Sequence, residues 1–128
     1  MEMTLSDSDV LIDYLNGRDP GFSAVTRYIQ AGMLVTSTIS RFEVYSGVRN
    51  PREREAADQL FDSIQTLEFS DLAALAAANL NQTLRLAGEP LAMADLLIAG
   101  VALSMSLPLL TRNDRHFGRI PGLDVITP

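Results

Sequence analysis

Short apolar segments that favour β-strands alternate with helical segments along the whole chain. The first pair begins at Met3-Thr4-Leu5, where a strand pattern gives way after Asp7 to a helical pattern of apolar residues. Helices that connect strands in this way are typical of βαβ units, so the alternation predicts a mostly parallel sheet with helices on both faces. We predict strands at 3–7, 33–36, 66–69, 107–111 and 124–127, and helices at about 9–16, 22–30, 38–48, 51–65, 71–87 and 91–105.

Composition limits the function classes that such a fold can serve. The 128 residues are the size of one domain, which we assign to residues 1–128, and 47% of them are hydrophobic. The absence of cysteine excludes thiolate metal sites, and the single histidine, His116, excludes a multi-histidine zinc site within one chain. All ten basic residues are arginine, which excludes any mechanism that needs a catalytic lysine.

The net charge of −6 argues against a protein that simply coats nucleic acid. No apolar run approaches the roughly 20 residues that span a membrane, and the N-terminus lacks a signal-peptide pattern. We therefore expect a cytoplasmic protein that does not associate with a membrane.

Acidic and amide residues lie where a ligand site would form. Asp7 follows the first strand, and Asn113 and Asp114 follow the fourth, so all three are expected at the carboxyl edge of the sheet, where ligands bind in open α/β folds. Asp95 has apolar helical neighbours, about one turn into its predicted helix, and Glu43 lies among small residues on another helix. A charged group on an apolar face is costly unless it is paired or binds a metal.

These acids would repel one another if they converged, and each would raise the pKa of the others. A hard divalent cation such as Mg²⁺ resolves the repulsion, because it prefers carboxylate oxygen and also binds phosphate. Asp9 either caps the first helix, as Ser8 also can, or reaches the site, and the sequence favours the capping role. Asp13 is expected on the solvated side of that helix. Arg112 is the first candidate to contact a phosphate.

Four segments in order resemble the PIN-domain ribonucleases, and among them the VapC-type toxins of toxin–antitoxin pairs. The segments are 7–13, which contains the first acid, 37–47 around Glu43, 94–99 around Asp95, and 109–117 with the closing strand and turn. The resemblance covers nearly the whole chain. It implies a three-layer α/β/α sandwich around a mostly parallel sheet of four to five strands, and metal-dependent endonucleolytic cleavage of RNA by a metal-activated water.

The resemblance also implies roles for particular residues and a set of partners. The candidate catalytic residues are Asp7, Glu43 and Asp95, with Asn113 in a fourth position where many relatives carry aspartate, and Asp114 as the alternative for that position. Mg²⁺ or Mn²⁺ would be held chiefly by Asp7 and Asp95, with Glu43 closing the site through water. The implied partners are the RNA substrate, a cognate antitoxin whose basic side chain enters the acidic pocket, and a second copy of the chain in a homodimer.

Two other interpretations remain open from the sequence. The run Asp7-Ser8-Asp9 after a strand fits the nucleophile motif of an aspartyl phosphatase of the haloacid dehalogenase type, but that family needs a downstream basic residue, usually lysine. A catalytically weak PIN-like module that only binds RNA or a partner is the second. Asn113 in the fourth position favours it slightly, whereas the three acids together argue against it.

Overall fold

The computed structural model describes all 128 residues and contains five strands and seven helices. Helices separate the strands as the sequence predicts, and at three places two helices follow one another. None of the helices combines the length and the apolar character needed to cross a lipid bilayer. The elements are β1 (Thr4–Ser6), α1 (Ser8–Leu15), α2 (Gly21–Gln30), β2 (Leu34–Ser37), α3 (Thr38–Ser46), α4 (Pro51–Ser63), β3 (Gln65–Leu67), α5 (Asp71–Leu86), α6 (Met93–Met105), β4 (Leu109–Leu110), α7 (Asp114–Phe117) and β5 (Val125–Ile126).

The five strands form one sheet in the order β3-β2-β1-β4-β5, and every neighbouring pair is parallel. Leu5 in the central strand lies opposite Val35 in β2 and Leu109 in β4. The chain leaves β1 towards one edge of the sheet and returns to pair β4 on the other side. This reversal creates a switch point at the carboxyl ends of β1 and β4, which is where ligands bind in open α/β sheets.

Helices cover both faces of the sheet, which confirms the three-layer α/β/α sandwich. One buried cluster joins Leu5 and Val35 to residues of α5, α6 and α7. The other joins Leu34 and Leu110 to residues of α1, α2, α3 and α4. Adjacent strand residues thus point to opposite layers, as the period of two in a β-strand requires.

Side-chain caps explain where several helices begin. Ser37 accepts a hydrogen bond from the Ser40 N–H at 3.1 Å, and Ser70 caps α5 in the same way. These caps agree with the sequence. The predicted cap of α1 is wrong, because Asp7 rather than Ser8 or Asp9 occupies the cap position and accepts from the Ser8 N–H. The first acid of the candidate site therefore also begins a helix.

Helices α5 and α6 pack closely because their facing residues are small. A Cβ on Gly100 would lie 2.7 Å from the Ala73 carbonyl oxygen and 2.8 Å from the Ala77 Cβ, so only glycine fits there. The alanines of α5 have small side chains, which allow this short approach. The tight contact fixes the start of α6, which carries Asp95, relative to the sheet.

The element boundaries differ from the prediction at three places that affect the site. The strand expected at 107–111 is reduced to Leu109–Leu110. Helix α6 begins at Met93, so Asp95 lies in its first turn rather than a full turn inside. The polar turn expected after β4 contains a short helix, Asp114–Phe117, whose single turn is too short to give a periodic signal.

Candidate functional site

Asp7 is the innermost carboxylate of the switch point. Its side chain is buried, with the residue 5% exposed, and both of its oxygens have partners. Oδ1 accepts from the Ser8 N–H at 2.7 Å, and Oδ2 accepts from the Thr111 hydroxyl, also at 2.7 Å. Thr111 directly follows β4, so this hydrogen bond joins the carboxyl ends of the two strands that form the switch point.

Burial and neighbouring acids raise the pKa of Asp7 to about 7. Loss of hydration is the largest cause, followed by repulsion from Asp9 and a smaller repulsion from Asp95. The hydrogen bonds from Thr111 and Ser8 oppose this shift but do not cancel it. The Asp7 carboxylate therefore lies in an environment that lacks a positive charge, which is the condition that a bound cation would correct.

Asp9 connects α1 to the loop that follows β4. Its Oδ2 accepts from the Arg112 backbone N–H at 3.0 Å and lies 3.3 Å from the Thr111 hydroxyl. Its Oδ1 is excluded from solvent and has no hydrogen-bond partner. Burial raises the pKa of Asp9, while the Arg112 N–H and guanidinium lower it. Asp9 is thus part of the site rather than the helix cap that the sequence favoured.

Glu43 reaches the site from α3 and is held by two serine hydroxyls. The Ser8 hydroxyl donates to Glu43 Oε1, and it lies 3.0 Å from the Ser40 hydroxyl, which is fully buried. Because a serine hydroxyl has one proton, Ser8 donates to the carboxylate and accepts from Ser40. This chain fixes one oxygen of Glu43 and leaves Oε2 without a hydrogen bond from the protein.

Asp95 completes the set from the first turn of α6. Burial raises its pKa, and repulsion from Glu43 and, more weakly, from Asp9 adds to the effect. A positive charge on His116 acts in the opposite direction. The structure therefore brings the predicted acids Asp7, Glu43 and Asp95 to one edge of the sheet, and adds Asp9 to them.

The two candidates for the fourth position do not supply a carboxylate to this group. Asn113 is half-buried, and its side-chain amide lies 2.9 Å from His116 Nδ1. Asp114 is exposed in the first turn of α7, so it does not turn inward. The Asn113 backbone N–H donates to the Thr111 hydroxyl, which makes the loop a support for Thr111.

The expectation that Asp13 lies on the solvated side of α1 is wrong. Asp13 is 7% exposed, and its Oδ2 lies 2.8 Å from Arg112 Nε. A Cβ on Gly21 would collide with the Asp13 carboxylate, so the absence of a side chain at Gly21 makes room for this ion pair. Arg112 is therefore anchored to α1 by its Nε, and its remaining guanidinium N–H groups make no hydrogen bond within the protein. Its guanidinium is half-exposed and can still meet a substrate.

The oxygen donors are of the kind that a hard cation prefers, although no group of three or more His, Cys, Asp or Glu side chains is arranged to hold a metal ion. Mg²⁺ does not need such a shell, because it keeps several waters and usually binds one or two carboxylates of the protein. The oxygens available are those of Asp7, Asp95 and Glu43, together with the unpartnered Oδ1 of Asp9. A buried acceptor without a partner is costly in free energy, and a cation or its water would satisfy it.

A cleft of about 620 Å³ opens beside Glu43, between α1, α3 and α4. Ile12, Leu15 and Val48 form part of its apolar lining, and Arg49 and Arg52 also line it. Ile12 is 42% exposed, which is unusual for a large apolar residue of an amphipathic helix. The acidic site thus borders an apolar surface with basic residues beside it.

Sequence reasoning missed three hydroxyl groups that hold the acids in place. Thr111 bonds Asp7, and Ser8 and Ser40 hold Glu43. Thr111 had a detectable signal, since it directly follows an apolar strand on the same edge as Asp7. The role of Ser40 had none, because its contact with Ser8 joins residues of two different helices.

Comparison with known proteins identifies the family. The PIN domain description matches residues 5–123. Over 123 residues the chain is 31% identical to ribonuclease VapC19 of Mycobacterium tuberculosis, which covers 94% of this chain and 97% of that protein.

Solved structures have the same fold. A DNA-bound VapBC complex from Salmonella typhimurium contains a chain that matches with a TM-score of 0.86 and 23% identity, over 99% of this chain and 98% of that one. A toxin–antitoxin complex from Klebsiella pneumoniae contains a chain that matches with a TM-score of 0.80 and 26% identity, over 98% and 97% of the two chains. The sheet order, the acids at its carboxyl edge and these matches lead to one assignment: the chain belongs to the PIN-domain family.

Proposed function

We propose that this protein is a metal-dependent endoribonuclease that acts as the toxin of a toxin–antitoxin pair. The observation that carries the proposal is the position of Asp7, which is buried at the switch point beside Asp9 and Asp95 and has no basic side chain acting on it. The 31% identity to a protein named ribonuclease VapC19 supports RNA as the substrate. The family match gives no support to the aspartyl phosphatase interpretation.

Asp7 and Asp95 are the residues that would hold Mg²⁺ or Mn²⁺, with Glu43 closing the site through water. When bound, such a cation lowers the pKa of water and offsets the charge of a phosphodiester. Asp7 is anchored at both oxygens by short hydrogen bonds, so its position is fixed before a cation arrives. Preorganisation of this kind reduces the cost of binding.

Glu43 is the group that would orient the attacking water or remove its proton. Ser8 occupies Oε1, and Oε2 remains available to accept a hydrogen bond from water. A carboxylate held on one side and free on the other can accept a proton without losing its position. The acid thus has the geometry of a general base, with Ser8 and Ser40 as positioning residues.

Arg112 is the basic group that would contact the phosphate. Its Nε is committed to Asp13, which holds the guanidinium close to the site. Arginine carries five N–H donors in a planar fork, so the others remain for phosphate oxygens. Asn113 belongs to the same loop and supports Thr111 rather than a substrate.

The complexes that contain the structural neighbours support an antitoxin partner for this protein. The Salmonella typhimurium and Klebsiella pneumoniae chains come from VapBC or toxin–antitoxin complexes, and we extend an antitoxin partner to this chain. The apolar cleft beside Glu43 is large enough to accept side chains of a partner, and a basic residue at its acidic end would be attracted by Glu43. A homodimer of the toxin chain is part of the proposal.

The proposal is tested by cleavage of transfer and ribosomal RNA with the purified protein. We expect cleavage with added Mg²⁺ or Mn²⁺, none in excess chelator, and restoration when the cation is returned. Asp7→Ala and Asp95→Ala should be inactive although folded by circular dichroism, whereas Asp71→Asn, an exposed acid at the start of α5, should match the wild type.

Full cleavage in chelator, or by the folded Asp7→Ala protein, would contradict the mechanism. Tight binding of RNA or antitoxin with no cleavage under any cation would favour the binding-only module. Recovery of a small partner bound to the protein from its native host would support the toxin assignment, and a lone monomer at high concentration would count against it.

A further inference from the structure

We infer that Asp9 is a direct ligand of the divalent cation and takes the place of the missing acid after β4. The inference rests on the proposed function, since it concerns the same cation site. It is carried by the unpartnered oxygen of Asp9 and by the position of the loop that follows β4.

The loop after β4 provides no carboxylate of its own to the site. Asn113 is uncharged, and its amide contacts the His116 ring. Asp114 is exposed on α7. A cation at the switch point would therefore meet carboxylates only from residues 7–9, α3 and α6, and Asp9 is the one that accepts a hydrogen bond from a backbone N–H of the loop.

The two oxygens of Asp9 are in different situations. Oδ2 is used, because it accepts from the Arg112 N–H and lies near the Thr111 hydroxyl. Oδ1 is buried and has no hydrogen-bond partner. Fixing one oxygen to the backbone of the loop orients the other, as hydrogen bonds commonly do for metal-binding carboxylates.

The charge around Asp9 supports the same assignment. Asp9 repels both Asp7 and Asp95, so its carboxylate is close enough to act on each of the two residues proposed to hold the cation. A residue that only tied α1 to the loop would need a single acceptor oxygen, which serine or asparagine could supply. A second, negatively charged oxygen beside two other acids is costly unless a cation binds there.

The test is a calorimetric titration of the metal-free protein with Mn²⁺ alone. It is carried out at about pH 8, where the carboxylates are ionised. Asp9→Asn keeps an acceptor for the Arg112 N–H and removes the charge. We expect it to weaken Mn²⁺ binding at least tenfold, within the range of effects reported for residues that support a metal site. Asp71→Asn, which removes one exposed charge from α5, should bind as the wild type does.

Thermal melting without metal separates this role from a purely structural one. Asp9→Asn should melt no lower than the wild type in chelator, and should gain less stability when Mn²⁺ is added. If Asp9→Asn does not fold, Asp9→Ser is used in the same titration, because its hydroxyl can also accept from the loop.

The outcomes distinguish the two proposals. Wild-type affinity in folded Asp9→Asn or Asp9→Ser, with binding lost in Asp7→Asn, would overturn the role of Asp9 and leave the proposed cation site intact. No Mn²⁺ binding by the wild type would overturn the metal-dependent function and the role of Asp9 together.

Discussion

The surroundings shift the pKa values of acidic residues in opposite directions at the switch point and on the outer surface of α4. On α4, a hydrogen bond from Tyr45, and then one from Arg54, lowers the pKa of Asp58. The Arg49 side chain likewise lowers the pKa of Glu53. Arg49 Nη2 lies 2.8 Å from Glu53 Oε2. At the switch point, burial and repulsion raise the pKa of Asp7 instead.

The difference is in the supply of positive charge rather than in the number of acids. The chain places arginine next to the acids of α4, where ion pairs are exposed and contribute little to stability. It places hydroxyls and a backbone N–H group next to Asp7 and Glu43, where a cation would contribute most. Sites that sacrifice stability in this way are commonly functional, and the comparison therefore identifies the switch point as the place that a ligand completes.

Among the variants that test this comparison, Glu43→Gln should have the largest effect on RNA cleavage. Glutamine keeps an acceptor for the Ser8 hydroxyl but cannot take a proton, so we expect cleavage to fall by at least roughly 10²-fold, the size of losing one well-placed polar group in a catalytic site. RNA cleavage rates under saturating Mg²⁺ measure it. Glu55→Gln, an exposed acid on α4, is the matched control and should retain the wild-type rate. A Glu43→Gln rate near that of the control would show that Glu43 has only a structural role.

The sequence was sufficient to predict where Asp7, Glu43 and Asp95 lie, but not which groups bind the acids of the site. The reasons are physical. Asp7 could be placed at the carboxyl edge because a strand–helix switch fixes which end of a parallel strand the next residue occupies. Burial of Asp13 could not be anticipated, because it depends on Arg112 and on the space left by Gly21, and both are brought to α1 by tertiary packing. Helical periodicity alone assigned Asp13 to solvent.

The same limit applies to Asp9. A polar residue at the start of a helix is most often a cap, and Asp7 had not been considered for that position. Once Asp7 caps α1, Asp9 is free to bind the loop after β4. An error of one residue in a helix start thus changed the interpretation of an acid in the site.

Asp7→Asn should raise stability at alkaline pH, because it removes a carboxylate that the fold disfavours. A carboxyl whose pKa is about 7 in the folded chain and 3.8 in the unfolded chain holds its proton more tightly when folded. Its contribution to the free energy of unfolding is therefore greatest below about pH 4 and is lost as pH rises through about 7. Asparagine does not ionise, so the variant should exceed the wild type by roughly 1–4 kcal/mol near pH 8.

Urea unfolding in chelator at about pH 4 and about pH 8 measures this difference. The advantage of Asp7→Asn should be present at the higher pH and shrink towards zero at the lower one. Added Mn²⁺ should reverse it, because only the wild type gains a ligand. Equal stability of the two proteins at about pH 8 would mean that Asp7 is not disfavoured by its surroundings.

Asp58→Asn tests the other side of the comparison and should have a smaller effect of opposite sign. The pKa of Asp58 is lowered, so its stabilising contribution is present at neutral pH and lost as pH falls below the range of an ordinary aspartate. The variant should melt slightly below the wild type at neutral pH, and the gap should narrow in high salt, which screens exposed pairs. Cleavage of RNA should be unchanged. If Asp58→Asn were more stable than the wild type, the negative charge of Asp58 would be unfavourable despite its ion pair, as the charge of Asp7 is at the switch point.

His116→Ala sharpens the comparison at its weakest point, because His116 is the side chain in the site that lowers the pKa of Asp95. The ring is exposed and contacts the Asn113 amide through Nδ1, so it resembles the surface pairs more than the buried acids. Losing it should cost about two- to threefold in cleavage rate at most, as expected for an exposed side chain outside the machinery of the site. Cleavage of the same RNA by His116→Ala and the wild type, at matched Mg²⁺, measures the effect. A loss of tenfold or more with unchanged melting temperature would place the imidazole among the groups that contact the substrate. The site would then contain a second basic group beside Arg112, and the contrast with α4 would be one of degree.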